Sequence, residues 1–235
     1  MGRVFEKRKH KMFARFDRMA KAFSRIGKDI AIAVKHGGPL PENNPKLRMC
    51  IQNAKGVNMP KDRIDAAIKR ASSKEEKDFQ EVVYEGYAPH GVPLVVECAT
   101  DNPTRTVANI RLNFSKNGGA MGNSGSVAFL FERKGVFKFH PNQINLEELE
   151  LDLIDAGAED IEQSDEEIIV YTSFTEFGHM LKFLESRGME AKSSELQYIP
   201  TTTKELPESQ QDEVLKLVEA LEADDDVQNV YHNLA

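Results

Sequence analysis

Residues 135–199, GVFKFHPNQINLEELELDLIDAGAEDIEQSDEEIIVYTSFTEFGHMLKFLESRGMEAKSSELQYI, carry the pattern on which the fold turns. Gly135 to Phe139 reads as a strand, and Leu146 to Ala156 repeats apolar residues at helical spacing. Short strands follow at Ala158 to Ile161 and Ile168 to Thr172, then a helix at Phe174 to Ser186 and a strand at Ala191 to Ile199. The order β-α-β-β-α-β is the ferredoxin-like arrangement, and it is complete in itself.

The flanking segments are each incomplete. Upstream, Val82 to Tyr87 and Val92 to Ala99 read as strands joined by the turn Ala88-Pro89-His90-Gly91. Asn102-Pro103 opens a helix with Val107, Ile110 and Phe114 on one face, closed by Gly118-Gly119. A glycine-rich loop, Gly118 to Ser126, leads to a third expected strand, Val127 to Phe131. Downstream, the helix Glu208 to Ala223 and the strand Val227 to Tyr231 have no sheet of their own. An apolar helix face and an open strand edge both need cover, so the tail is expected to complete the upstream unit. The expected fold is α+β, with a helical N-terminal domain and two ferredoxin-like α/β sandwich domains, one inserted into the other. The expected boundaries are 1–77 for the helical domain, 78–132 with 200–235 for the discontinuous domain, and 133–199 for the inserted one.

The N-terminal third has a period of 3.6. Phe13, Phe16, Met19, Phe23, Ile26 and Ile30 share one sector of a helix running from Lys11 to Lys35, while Lys11, Arg15, Arg18, Lys21, Arg25 and Lys28 share the opposite one. Gly37-Gly38 ends it. Asn44-Pro45 caps a second helix that stops at Gly56, and Pro60 opens a third with Ile64, Ala67, Ile68 and Ala71 as its apolar stripe. Ser72 to Asp78 reads as a charged linker.

Charge divides along the same line. Residues 1–77 hold 20 Lys+Arg against 8 Asp+Glu, a net of +12, and residues 78–235 hold 11 against 30, a net of −19. A basic block before an acidic body implies a polyanion as the first block's partner, nucleic acid ahead of a membrane surface. The aromatic stripe is needed for the core, and the chain carries neither a run of about 18 apolar residues nor an apolar signal region, so a cytoplasmic protein is expected. Cys50 and Cys98 sit in separate apolar patterns and read as reduced core residues.

Signals for catalysis are weak. None of the six histidines stands three or four residues from another or from a cysteine, so neither a metal nor another cofactor is expected. The glycine-rich loop runs from a helix into a strand and lacks the Lys-Ser/Thr pair of a phosphate-binding loop. Glu97 and Asp101 form no convincing acid–base pair, because Asp101 falls in the cap region of the next helix. The acidic run Glu222, Asp224, Asp225, Asp226 reads as a solvated loop.

Several blocks in order resemble the YebC-type family, which includes the mitochondrial translational activator of cytochrome c oxidase subunit I. They are Asn44-Pro45-Lys46-Leu47-Arg48, Asn58-Met59-Pro60-Lys61-Asp62, Ala67-Ile68-Lys69-Arg70, Tyr84-Glu85-Gly86-Tyr87, Val96-Glu97-Cys98 with Thr100-Asp101-Asn102, Arg105-Thr106-Val107, Phe114-Ser115-Lys116 with Gly118-Gly119, and Gly125 to Glu132. The resemblance implies a three-domain, cytoplasmic, non-enzymatic protein, described either as a DNA-binding transcriptional regulator or as a ribosome-associated factor that helps translation through stretches such as consecutive prolines. The chain departs from the family at its start, where Gly2-Arg3-Val4-Phe5 replaces a segment that usually carries tryptophan.

These readings converge on a non-enzymatic regulator of gene expression that grips nucleic acid with its helical domain. The expected phosphate contacts are Lys7, Arg8, Lys9, Lys11, Arg15, Arg18, Arg25 and Lys28, supported by Lys46, Arg48, Lys61 and Arg63. Ribosomal RNA, with the ribosome as partner, is the preferred target, and DNA is the alternative. A protein–protein adaptor using the two sheets is the third reading.

Overall fold

The structure, a computed structural model, describes the backbone of residues 3–73, 78–142 and 144–235, and the side chains of 18–73, 78–142 and 144–235. The chain forms two compact units, residues 1–78 and 79–235.

The first unit is helical: α1 (Arg3–Gly37), α2 (Pro45–Gly56) and α3 (Lys61–Ala71). α1 starts eight residues before the expected Lys11, because neither glycine nor proline interrupts the chain between Arg3 and Ile26. The basic run 7–11 is helical in its backbone. α2 and α3 both pack on α1. Five successive residues, Ile30 to Val34, are therefore buried, which a helix covered on one face alone would not allow. α2 presents Leu47, Cys50 and Ala54 to this core, and α3 presents Ile64, Ala67 and Ala71.

Asn44 fastens the unit. Its Oδ1 accepts from the Leu47 N–H at 3.0 Å, the N-cap expected from Asn44-Pro45, while Nδ2 donates to the carbonyls of Ala33 (2.8 Å) and Gly38 (2.9 Å). A Cβ on Gly37 would lie 2.7 Å from the Asn44 side chain, so glycine is required there for space.

The second unit holds two four-stranded sheets, antiparallel in every pairing. In the first, β1 (Gln80–Ala88), β2 (Val92–Thr100), β3 (Ala120–Met121) and β8 (Val227–His232) lie in the order β3-β1-β2-β8. His90 and Gly91, both at positive φ, turn the β1–β2 hairpin. One face is covered by α4 (Pro103–Lys116) and α7 (Glu208–Glu222), whose Ile110, Phe114, Leu217 and Leu221 pack on Leu94, Val96 and Cys98 of β2.

The second sheet combines β4 (Phe131–Phe139), β5 (Ala158–Gln163), β6 (Ile168–Ser173) and β7 (Ser193–Pro200) in the order β5-β6-β4-β7, with α5 (Leu146–Asp155) and α6 (Phe177–Ser186). That is the expected ferredoxin-like order, and it sits in the chain between β3 and α7 of the first sheet, so the fold is the anticipated helical segment with one α/β sandwich inserted into another. A second small core on the far face of β2, formed by Val95, Val127, Phe131, Tyr198 and Tyr231, joins the two sandwiches.

The expected third strand is misplaced. Val127 to Phe131 is not a strand. Ala128–Leu130 is a 3-10 turn, and β3 is the pair Ala120–Met121 inside the glycine-rich loop. Glu85 decides this. Its carboxylate accepts from the N–H groups of Gly125 (2.7 Å), Val127 (2.7 Å) and Ala128 (2.8 Å), so those donors cannot join a strand ladder.

Candidate nucleic-acid interface

α1 sets the site. Arg18, Lys21, Arg25 and Lys28 recur at three- and four-residue spacing and form one stripe, Arg18 and Lys21 exposed and Arg25 and Lys28 half-buried. Over ten residues the stripe runs about 15 Å, long enough to meet two or three successive phosphates. Lys7, Arg8, Lys9, Lys11 and Arg15 belong to the same helix by backbone, but their side chains lie outside the described residues.

α3 carries further cations, but on the other side of α1, where Phe23 lies opposite the stripe. The Arg63 guanidinium lies 5.6 Å from the centre of the Phe23 ring, a cation–π contact that holds its charge against α1. Lys61 is exposed at the start of α3, and Lys46 is exposed in the first turn of α2. Arg48 has a structural engagement: its Nη1 donates to the carbonyls of Pro41 (2.8 Å) and Glu42 (3.2 Å) and so braces the connection ahead of α2. Lys35 pairs with Asp78 at 3.0 Å. Lys21 shares the stripe although it was not among the expected contacts, and its three-residue spacing from Arg18 was the signal for including it.

In the second unit the chemistry-bearing side chains are engaged with each other. The N–H groups of the glycine-rich loop converge on Glu85, which stands where a phosphate would have to bind. Burial raises the Glu85 pKa, but the loop N–H groups outweigh it, and the carboxyl is held below its usual value. Glu97 shifts the other way. Burial raises its pKa against the hydrogen bonds from Asn229 Nδ2 (3.2 Å) and Tyr231 Oη (3.0 Å), and Arg133 stands 3.9 Å away.

Asp101 accepts from Arg105 Nη2 at 2.9 Å, so Glu97 and Asp101 serve different partners. The N-cap of α4 is Asn102, whose Oδ1 accepts from the Arg105 N–H at 3.1 Å. Asp226, expected in a solvated loop, is buried. Its Oδ2 accepts from Arg105 Nη2 (2.7 Å), Thr106 Oγ1 (2.9 Å) and Thr100 Oγ1 (3.2 Å), because the turn before β8 lies against the α4 N-terminus. Among the described residues no three His, Cys, Asp or Glu side chains gather as a metal site, and no helix is long and apolar enough to cross a membrane.

Two family models match this chain: one for the TACO1/YebC N-terminal domain over residues 3–74, and one for the TACO1/YebC second and third domain over residues 79–234. A "Probable transcriptional regulatory protein" of Anaeromyxobacter dehalogenans is 56% identical over 240 residues, covering 100% of both chains. A protein of the same description from Cytophaga hutchinsonii is 57% identical over 235 residues, covering 100% of this chain and 99% of its own. The crystal structure of a conserved hypothetical protein from Aquifex aeolicus superposes with a TM-score of 0.80 at 40% identity, over 92% of this chain and 90% of that one.

Proposed function

We propose that this chain, which belongs to the TACO1/YebC family, is a non-enzymatic regulator of gene expression that holds nucleic acid on its helical unit. One observation carries the reading: the stripe Arg18-Lys21-Arg25-Lys28 lies along a helix whose following turns, Ile30 to Val34, are locked into the core. The cations are thereby presented on a rigid rod, and counterion release drives their association with phosphates. In a working division of labour, residues 1–77 bind, and the discontinuous (78–132 with 200–235) and inserted (133–199) domains meet other parts of the target.

Ribosomal RNA is the target we favour, with the protein acting on the ribosome during elongation through difficult stretches such as polyproline. The net of −19 over residues 78–235 opposes a long bare duplex, and cationic ribosomal proteins relieve that repulsion. One observation supports the DNA reading instead. The α2–α3 connection is residues 57–60, the length of a helix-turn-helix turn. The relatives' printed names also favour transcription.

Sucrose-gradient sedimentation of cell extract separates the two readings. Co-migration with ribosomal subunits at low and moderate salt supports the first. Absence from those fractions, together with preference for a defined promoter over a scrambled duplex, supports the second. No affinity for any RNA or DNA at low ionic strength defeats both.

A further inference from the structure

Helix α5 of the inserted sandwich turns an apolar ridge outward. Leu149 and Leu153 face the core, while on the opposite side Leu151 is 77% and Ile154 50% exposed. At 100° per residue Leu151 is at the centre of the solvent face. Glu147 and Asp155 lie about 40° to either side of it, with Ile154 and Glu148 about 60° away. Leu151 at the outermost position and Ile154 on its flank form an aliphatic pair facing water, and such an outward ridge with a polar rim fits a contact site.

The rim identifies the occupant. Residues 147–167 contain 11 Asp+Glu and no Lys, Arg or His. The acidic character continues from α5 into β5, an edge strand of its sheet, through Glu159, Asp160 and Glu162. On the α6 side, Arg187 Nη2 donates to Asp152 Oδ2 at 2.6 Å, which closes that flank and leaves the ridge at Leu151 open.

We propose that the α5 face is a docking site for a cationic amphipathic segment of a partner protein, a lysine- or arginine-rich helix with aliphatic residues on one side. Its apolar side covers Leu151 and Ile154, and its cations meet Glu147, Glu148, Glu150 and Asp155. A nucleic acid is excluded here by charge, and an apolar partner would leave the carboxylates buried without counter-charges. This site is independent of the phosphate-binding reading of the helical unit.

The test uses the full chain and two synthetic 18-residue Lys/Leu peptides, one with its leucines on a single helical face and one with the same composition scrambled. Titration calorimetry at physiological salt should show the amphipathic peptide binding about tenfold or more tighter than the scrambled one. Leu151→Ser with Ile154→Ser should remove that preference, consistent with the burial of two aliphatic side chains. Glu147→Gln with Glu150→Gln and Asp155→Asn should weaken binding of both peptides and flatten its salt dependence. Because the substituted side chains are exposed, circular dichroism should match the parent protein.

Equal affinity for the two peptides, or loss only in the amide variant, overturns the proposal by showing diffuse attraction to an acidic surface. A low-salt dimer that Leu151→Ser with Ile154→Ser returns to monomer also overturns it, because the occupant is then a second copy's cationic helix.

Discussion

The Asn44 side chain joins the end of one helix to the start of the next, donating to the Ala33 carbonyl at 2.8 Å while accepting from the N–H of Leu47 at 3.0 Å. The two bonds reach in opposite directions along the chain, so the connection between α1 and α2 is fixed from both sides.

Replacing Asn44 by Ala removes the cap of α2 and two bonds to buried or half-buried carbonyls. The helical unit should lose about 2–3 kcal/mol, read as a lower urea midpoint. Asn44→Asp should recover the cap alone, because a carboxylate cannot donate to Ala33 and Gly38. Gly37→Ala should act on the same joint, since its Cβ would stand 2.7 Å from the Asn44 side chain.

Glu85 and Glu97 should respond to acid in opposite senses. The Glu85 pKa is lowered in the fold, so its stabilisation is complete above the unfolded carboxyl value near 4.5 and is lost as pH falls through the folded value. Glu85→Gln should therefore cost about 1–3 kcal/mol at neutral pH, with the difference from the parent shrinking in acid. The Glu97 pKa is raised by burial, so its charge opposes folding above the folded value, and that penalty disappears below about pH 4.5. Glu97→Gln keeps an acceptor for Asn229 and Tyr231 and should be neutral or stabilising at pH 7, approaching the parent in acid. Denaturant melts from pH 3 to 8 decide both.

Arg18→Glu, Arg25→Glu and Lys28→Glu together should weaken RNA or duplex binding and lower the slope of log K against log salt by roughly 2–3, according to whether the ligand is single- or double-stranded. An unchanged slope would remove the α1 stripe from the interface. Circular dichroism of the variant, compared with the parent, separates loss of binding from loss of the fold.

Gly86→Ala tests the seam between β1 and β3. A Cβ there would lie 2.6 Å from the Ala120 carbonyl oxygen and 2.8 Å from Phe114 Cε1, and neither the backbone carbonyl nor the buried Phe114 ring can give way cheaply. The substitution should cost about 2 kcal/mol or more by forcing β3 off the sheet. Faster hydrogen exchange at Ala120 and Met121 would report it.

Local pattern and caps made much of this protein legible in its sequence. The helices of the first unit, the β1–β2 hairpin, the cap at Asn102 and the β-α-β-β-α-β order all follow from interactions within a few residues or from hydrophobic period, which neighbouring side chains set by themselves. The charge division is likewise a property of composition. Tertiary structure decided the rest, wherever a group's partner is distant in the chain. Glu85 reaches 40 to 43 residues along to claim the N–H groups of the glycine-rich loop, and so turns an expected strand into a 3-10 turn. Asp226 accepts from Thr100 and Arg105, more than 120 residues earlier, and so becomes buried where its acidic neighbours predicted solvent. Sequence pattern records which side chains want burial or charge. Which distant donor meets a carboxylate is fixed only when packing brings the two together, because a hydrogen bond demands ångström-level placement and a hydrophobic face does not.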